Sequence, residues 1–514
     1  MFIKHFYDIV YSEIVVRNIC FLAGELPVNI SSIAMNQFVS ITPELFLAVG
    51  VTLIWCYLVA SNNWNKAIVS LRCLLFITLL LYLSTVSGGG VFDDNLIANS
   101  AIFINFSKVL IIALALPILW LENLSINLAL YLGALILFNL GLIGSANLLT
   151  SYVCLEGLSL VSYGVIATNK TRGSAESGLK YFLYGIVASA LLVFGLSLLY
   201  LQTHTLKWNE LYLFFAFSTF NSQVELRVLS VLLILAALIY KLSLFPFHFT
   251  LPDVYEGTSW HTIAIINLGV KLGIGLFLFR LWGLIIVDYF LSEYLSIILF
   301  WFAIASLVIG CFGALIQTSL KRFFAYTSIN QSGFIIIGLL TNSIFGLETS
   351  ILYVIVYMLS MILFFFAVDG ITSDNVAEVN NLGGIKQLSL GLSLFSIAGI
   401  PPLLGFGSKY LVWLSLFDSI SNEMIINQHY SVIKYALIVS ILMSLISAFY
   451  YLRLIKIASF KGIMVGDVDF NYSGILISSC VASILTLWPV FIGILLIGLE
   501  SCSLLNYGAW IDLY

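Results

Sequence analysis

Apolar runs long enough to cross a bilayer recur from about residue 43 to residue 499, separated by short polar connections. A transmembrane helix needs about 20 mostly apolar residues. Runs that meet this fall at roughly 43–61, 68–86, 101–121, 125–145, 147–168, 178–201 and 229–250. A second set falls at roughly 260–283, 290–310, 324–341, 347–369, 387–417, 433–457 and 474–499. Only helices and closed barrels satisfy their own backbone in hydrocarbon, and a barrel would show alternating segments of about 10 residues instead. The expected fold is therefore an all-α polytopic membrane protein of about fourteen helices. The longest connections lie near 201–228, 370–386, 418–432 and 457–473, too short for a soluble domain. The reading is an N-terminal extension over 1–42, one membrane domain over 43–500 and a tail over 501–514.

Composition closes off the other classes. The chain is 61% hydrophobic and 9% charged, against about 25% charged in a typical soluble domain. A net charge of −4 with no basic block argues against nucleic acid as a partner. The 7 cysteines form no CxxC or other metal-ligand spacing, so no zinc or iron–sulfur site is expected. The first 25 residues carry Lys4, His5, Asp8, Glu13, Arg17 and Glu25. They are too polar for a signal core and too acidic for a transit peptide, and an interfacial helix is expected there. No nucleotide-binding, serine-hydrolase or zinc-protease motif is present.

Lysine and arginine set the orientation. Loops after odd-numbered spans hold Lys66, Arg72, Lys170, Arg172, Lys180, Lys321, Arg322, Lys386, Arg453, Lys456 and Lys461. The other side holds Lys4, Arg17, Lys207, Arg227, Arg280 and Lys434. Eleven against six puts the odd loops on the cytoplasmic or matrix side and both termini on the opposite one.

Five charges lie near the middle of their spans: Lys108, Glu156, Lys241, Lys271 and Lys409. A charge at mid-bilayer costs at least about 2.5–3.5 kcal/mol on insertion scales, and these are too central to snorkel. One reading is a set of buried pairs that hold helices together. The other is a proton or ion relay, because burial favours the neutral amine while a nearby carboxylate restores the ammonium. Prolines break two of the spans. The seventh reads Lys241-Leu242-Ser243-Leu244-Phe245-Pro246-Phe247-His248, and the twelfth runs from Gly399 through Pro401 and Pro402 to Lys409. Proline removes a backbone donor, which a membrane tolerates where the backbone is buried in protein or lines a hydrated cavity. Each break neighbours a central lysine. The breaks are five spans apart, the offset of two inverted five-helix repeats covering spans 4–8 and 9–13. His248 and His261 flank the loop after the seventh span; structural roles and relay participation are both open for them.

These residues carry a resemblance. Lys241 to Lys271 contains Phe245-Pro246-Phe247-His248 and Pro252-Asp253-Val254-Tyr255-Glu256-Gly257. Further matches are Thr42-Pro43-Glu44-Leu45, Ser145 to Thr150 with Leu155-Glu156, Ala175 to Phe182, Gln317 to Ser328 and Gly399 to Lys409. Together they resemble the chain 2 family of proton-pumping NADH:ubiquinone oxidoreductase, respiratory complex I, in its mitochondrial type. The resemblance implies fourteen helices, two inverted repeats and one proton channel along the membrane midplane. It pairs Glu156 with Lys241, makes Lys271 the central lysine and turns Lys409 towards the outlet or a neighbouring subunit. It implies no cofactor in this chain, with NADH, FMN, iron–sulfur clusters and ubiquinone bound by other subunits. The expected partners are chain 4, the small chains 4L and 6, accessory subunits and lipids such as cardiolipin. The expected location is the mitochondrial inner membrane, with synthesis inside the organelle. Three features depart from the pattern: the long segment before Pro43, Lys108, and Asn330-Gln331, where relatives often carry a histidine. A multi-subunit cation/proton antiporter subunit and a structural membrane-arm subunit with an idle channel are the rival readings.

Overall fold

The computed structural model describes residues 43–56, 64–87, 95–121, 124–169, 171–217, 224–370, 384–422 and 428–460. The extension over 1–42, the expected fourteenth span at 474–499 and the C-terminal tail lie outside the described residues. Thirteen expected spans are found as helices or broken helices. They are α1 (Pro43–Cys56), α2 (Trp64–Ser87), α3 (Asn95–Ala115), α4 (Ile126–Gly144), α5 (Leu148–Ala167) and α6 (Arg172–Thr203). There follow α7a (Val224–Leu242), α7b (Thr250–Glu256), α8 (Trp260–Ile285), α9 (Tyr289–Ile316), α10 (Leu320–Ile337) and α11 (Ile344–Val368). Last come α12a (Gly384–Ala398), α12b (Leu404–Asn422) and α13 (Gln428–Phe460). Among the described residues, nine helices are long and apolar enough to cross a membrane. The connection at 201–228 is not wholly irregular, since it contains a short helix, Trp208–Phe217.

Helix starts follow local chemistry. Thr171 and Ser174 cap α6 reciprocally, each backbone N–H donating to the other's hydroxyl, at 3.0 and 3.1 Å. The Asp288 carboxylate accepts from Leu291 N at 3.2 Å and opens α9. Arg280 of α8 closes α4 by donating to the carbonyls of Ile143 at 2.6 Å and Ser145 at 2.9 Å, with its guanidinium over the Trp208 ring.

Packing repeats itself across the two halves. α4 lies on α5 as α9 lies on α10, α6 on α7a as α11 on α12a and α12b, and α4 on α8 as α9 on α13. Gly310 lets α9 lie close on α10, because a Cβ there would lie 2.6 Å from the Asn330 backbone nitrogen. α8 and α11 are buried along their whole apolar lengths, whereas α13 and α6 turn most of their surface outward. The interior of the bundle is therefore α8, α10 and α11.

The two proline breaks share one geometry. At the end of α7a, Ser243 N donates to Tyr240 O at 2.9 Å and Leu244 N to Ile239 O at 3.1 Å. At the end of α12a, Gly399 N donates to Ser396 O at 3.0 Å and Ile400 N to Phe395 O at 3.1 Å. Both are Schellman closures, with Ser243 at φ 60 and Gly399 at φ 79 in the left-handed region. Pro246 and Pro402 follow three residues later in each case, and both are preceded by cis peptide bonds.

Two outcomes follow. Arg227 of α7a is buried and donates to Asp288 at 2.8 Å, although its place in the sequence suggested a span end near water. Removing one partner of a buried pair costs about 3–5 kcal/mol. Arg227→Ala should lower the melting temperature of the assembled protein, and Arg227→Met with Asp288→Asn should recover most of the loss. At the second break, Gly399→Ala should cost about 1–2 kcal/mol because an L side chain is strained at this φ. The same melting assay reads it.

Candidate functional site

Lys241, Lys271 and Lys409 each lie at a discontinuity of the helix that carries it, with Glu156 beside Lys241. Lys241 ends α7a two residues before the break at Ser243. It is buried, and its Nζ donates to Leu155 O of α5 at 2.8 Å. Glu156 is the next residue along α5 and is half-buried. It shares a helix face with Leu149, Val153 and Leu160, all exposed. The two charges are thus brought together, yet no direct ion pair joins them. The lysine rests on the carbonyl beside the carboxylate. A small cavity next to it is lined by Ser159, Tyr163, Tyr181, Tyr240 and Lys241.

Lys271 closes a π-helical turn, Asn267–Lys271, inside α8. Such insertions widen the helix by one residue and often mark functional sites. The turn is held from α4, where the Asn139 amide donates to Gly269 O. Lys271 is buried, and its Nζ makes no hydrogen bond to the protein. An ammonium buried without an acceptor is costly, so this amine is stable when neutral or when water reaches it.

Lys409, on α12b, reaches back across the second break. Its Nζ donates to Ile397 O and to Ala398 O, each at 2.9 Å. These carbonyls end α12a and have lost their helical donors to the break. The ammonium also sits 4.9 Å from the centre of the Phe334 ring. Gly399 makes room for the stem, since a Cβ there would lie 2.8 Å from Lys409 Cδ.

Lys108 is bound differently. It is buried and forms an ion pair with the half-buried Glu44 of α1 at 2.5 Å, beside the Tyr82 ring and Gly144. The pair fastens α3 to α1, which is the structural alternative. His248 lies half-buried in the short turn Phe247–Phe249 after Pro246, stacked near Phe245. Its Nδ1 is buried and makes no hydrogen bond to the protein, so the structure does not join it to the lysines. His261 instead faces Asp369 at 3.2 Å, where α8 begins and α11 ends.

Sequence reasoning noted Asn330-Gln331 only as a departure. Both are buried in α10. Gln331 Nε2 donates to Tyr451 OH at 3.1 Å and to Ile397 O at 3.4 Å, and its Oε1 accepts from Tyr353 OH. The next residue, Ser332, donates to Leu242 O at the first break, at 3.2 Å. Adjacent side chains of α10 thus reach the freed ends of both broken helices. Among the described residues, no three His, Cys, Asp or Glu side chains gather as a metal site would require.

Comparison with known proteins agrees with this geometry. Residues 145–434 match the family described as NADH:quinone oxidoreductase/Mrp antiporter, TM. NADH-quinone oxidoreductase subunit N 1 of Rhizobium meliloti is 30% identical over 441 residues, 82% of this chain and 88% of that protein. A chain of respiratory complex I from Thermus thermophilus superposes with a TM-score of 0.71 at 23% identity, over 90% of this chain and 98% of that one. A chain of the Mrp complex from Dietzia sp. gives 0.70 at 16% identity, over 91% and 97%. Likeness at such identities reports the fold alone, whereas the matched family region spans more than half of the chain. With its repeated helix breaks and buried lysines, the chain belongs to the NADH:quinone oxidoreductase/Mrp antiporter transmembrane family.

Proposed function

We propose that this chain is the antiporter-like, proton-translocating subunit of the membrane arm of NADH:quinone oxidoreductase, and that Glu156, Lys241, Lys271 and Lys409 are its proton relay. The carrying observation is that three lysines are buried at helix discontinuities, two at proline breaks and one at a π turn. Two of the three hold their ammonium only on backbone carbonyls or a ring face. A pair that served only to hold helices would have a matched counter-charge, as Lys108 has in Glu44.

The geometry suggests how the relay switches. Lys241 has two stations one residue apart on α5, the Leu155 carbonyl and the Glu156 carboxylate. On the carboxylate, the charged amine is favoured. On the carbonyl, in an apolar setting, it is disfavoured, and the proton moves towards Lys271 and Lys409. Quinone reduction elsewhere in the complex would drive the exchange by altering charge along the membrane arm. Moving one charge against the potential requires about 2.3 kcal/mol per 100 mV, within the range of opening a buried pair. The flavin, iron–sulfur and quinone chemistry belongs to other subunits in this reading.

The subunit N relative and the Pro252-to-Gly257 motif favour the oxidoreductase over a free-standing cation/proton antiporter. Co-purification with flavin and iron–sulfur subunits separates the two. The finer placement is the mitochondrial inner membrane, with the termini on the intermembrane-space side and chains 4, 4L and 6 as neighbours, beside accessory subunits and cardiolipin. It is supported by the charge bias of the loops and by a mean hydropathy of +1.09, which would make import of a finished chain difficult.

Glu156→Gln and Lys241→Ala, each in the assembled complex, should slow coupled proton translocation by about tenfold or more, equivalent to about 1.4 kcal/mol at the limiting step. Wild-type pumping and electron transfer in both variants would refute the relay.

A further inference from the structure

Lys271 lies in α8 and Lys409 in α12b, and among the described residues no hydrogen bond joins these two helices. α11 packs on both of them, and polar side chains of α8, α10 and α11 lie along the way. Asn267, one turn before Lys271 in the π segment, has both amide atoms buried without a well-formed hydrogen bond to the protein. Tyr357 of α11 faces that amide closely enough to interact with it, and its buried hydroxyl likewise makes no well-formed hydrogen bond. Tyr353 is one helical turn earlier on the same face of α11. Its hydroxyl donates to Gln331. Gln331 in turn donates to Ile397 O, the carbonyl that also accepts from Lys409. The Phe334 ring touches both ends of this last step, packing on Tyr353 with centroids 5.7 Å apart and carrying the Lys409 ammonium at 4.9 Å.

We propose that Tyr357 and Tyr353 carry the proton from Lys271 to Lys409, and that Gln331 is the positioning residue that sets when Tyr353 can pass it on. The proposal rests on the relay reading above and names the groups that complete its second half.

The chemistry follows from what each group can do. A phenol both donates and accepts. It can take a proton on oxygen and release its own from the other side, so each phenol ends the step neutral while the charge moves from Lys271 to Lys409. Lys271 gives a proton to a water beside Asn267. Tyr357 accepts from that water and hands its hydroxyl proton to Tyr353, directly or through one further water. Tyr353 then passes a proton to neutral Lys409. An amide does not titrate in this range. While the Tyr353 hydroxyl points at Gln331 Oε1, the row ends on an acceptor that forwards nothing. Transfer requires Tyr353 to turn towards Lys409. Gln331 is held for this task, because its Nε2 is fixed by Tyr451 and by Ile397 O, which leaves Oε1 facing Tyr353. The other polar groups around it are Tyr450, bonded to Asn330, and Lys409 across the shared carbonyl. Among the described residues no carboxylate is bonded to Gln331, so none of them puts a fixed negative charge there to trap a proton midway.

The test uses the whole complex reconstituted in vesicles, reading protons moved per NADH oxidised and the pH profile of coupled turnover. Tyr357→Phe and Tyr353→Phe each delete one oxygen and keep the ring. Each should cut the proton yield as far as Lys271→Ala does, with NADH oxidation by an artificial acceptor unchanged. Gln331→Glu keeps the shape and places a titratable acceptor in the row, so it should move the pH profile of pumping. Gln331→Asn, which shortens the amide, should lower the yield without moving the profile. If Lys271→Ala pumps normally, the relay itself is wrong. If Lys271→Ala fails while both phenylalanine variants pump at wild-type yield, the relay stands and the tyrosine path is overturned. If the phenylalanine variants do not assemble, Gln331→Glu decides alone, and a profile identical to wild type overturns the proposal.

Discussion

Two backbone breaks inside the bilayer release carbonyl oxygens that bulk water cannot reach, and the polar interior is arranged around satisfying them. An unpaired backbone group in hydrocarbon costs several kcal/mol, and polar side chains are brought to the freed oxygens. Lys409 and Gln331 serve the end of α12a, and Ser332 serves the end of α7a. Of these, Lys409 is also a residue of the proposed relay, so at that break stability and the proposed transport depend on the same contact.

The repeat explains why these contacts come in a row. Equivalent helix pairs in the two halves pack alike, and the two breaks close with the same pair of backbone bonds. Folding one pattern twice puts one such break in each half. Side chains of the buried helix α10 reach both of them. Lys271 belongs to neither break, and the π turn in α8 gives it a comparable local loosening. The bundle thus contains three weak points in its backbone, each next to a lysine.

Much of this was legible in the sequence. Charges are scarce, so Glu156, Lys241, Lys271 and Lys409 stood out against the apolar runs, and Pro246, Gly399, Pro401 and Pro402 marked the breaks. Partners were far less legible. The Leu155 carbonyl, and not the Glu156 carboxylate, receives Lys241, and a backbone oxygen leaves no trace in a sequence. Glu44 lies 64 positions from Lys108, and only tertiary packing joins them. Tyr353 and Tyr357 look like core aromatics in an apolar run, because a helix buried on every side shows no polar stripe. Arg227 reads in the sequence as a loop charge, and it is buried with Asp288.

The proposed relay requires a continuous hydrated path between its four residues, which high-resolution density for the assembled complex during turnover would reveal. Ordered water is expected between Glu156, Lys241, Lys271 and Lys409 in at least one state, with the Lys241 side chain seen on both Leu155 and Glu156. A dry interior in every state, with Lys241 fixed on the Leu155 carbonyl throughout, would contradict it.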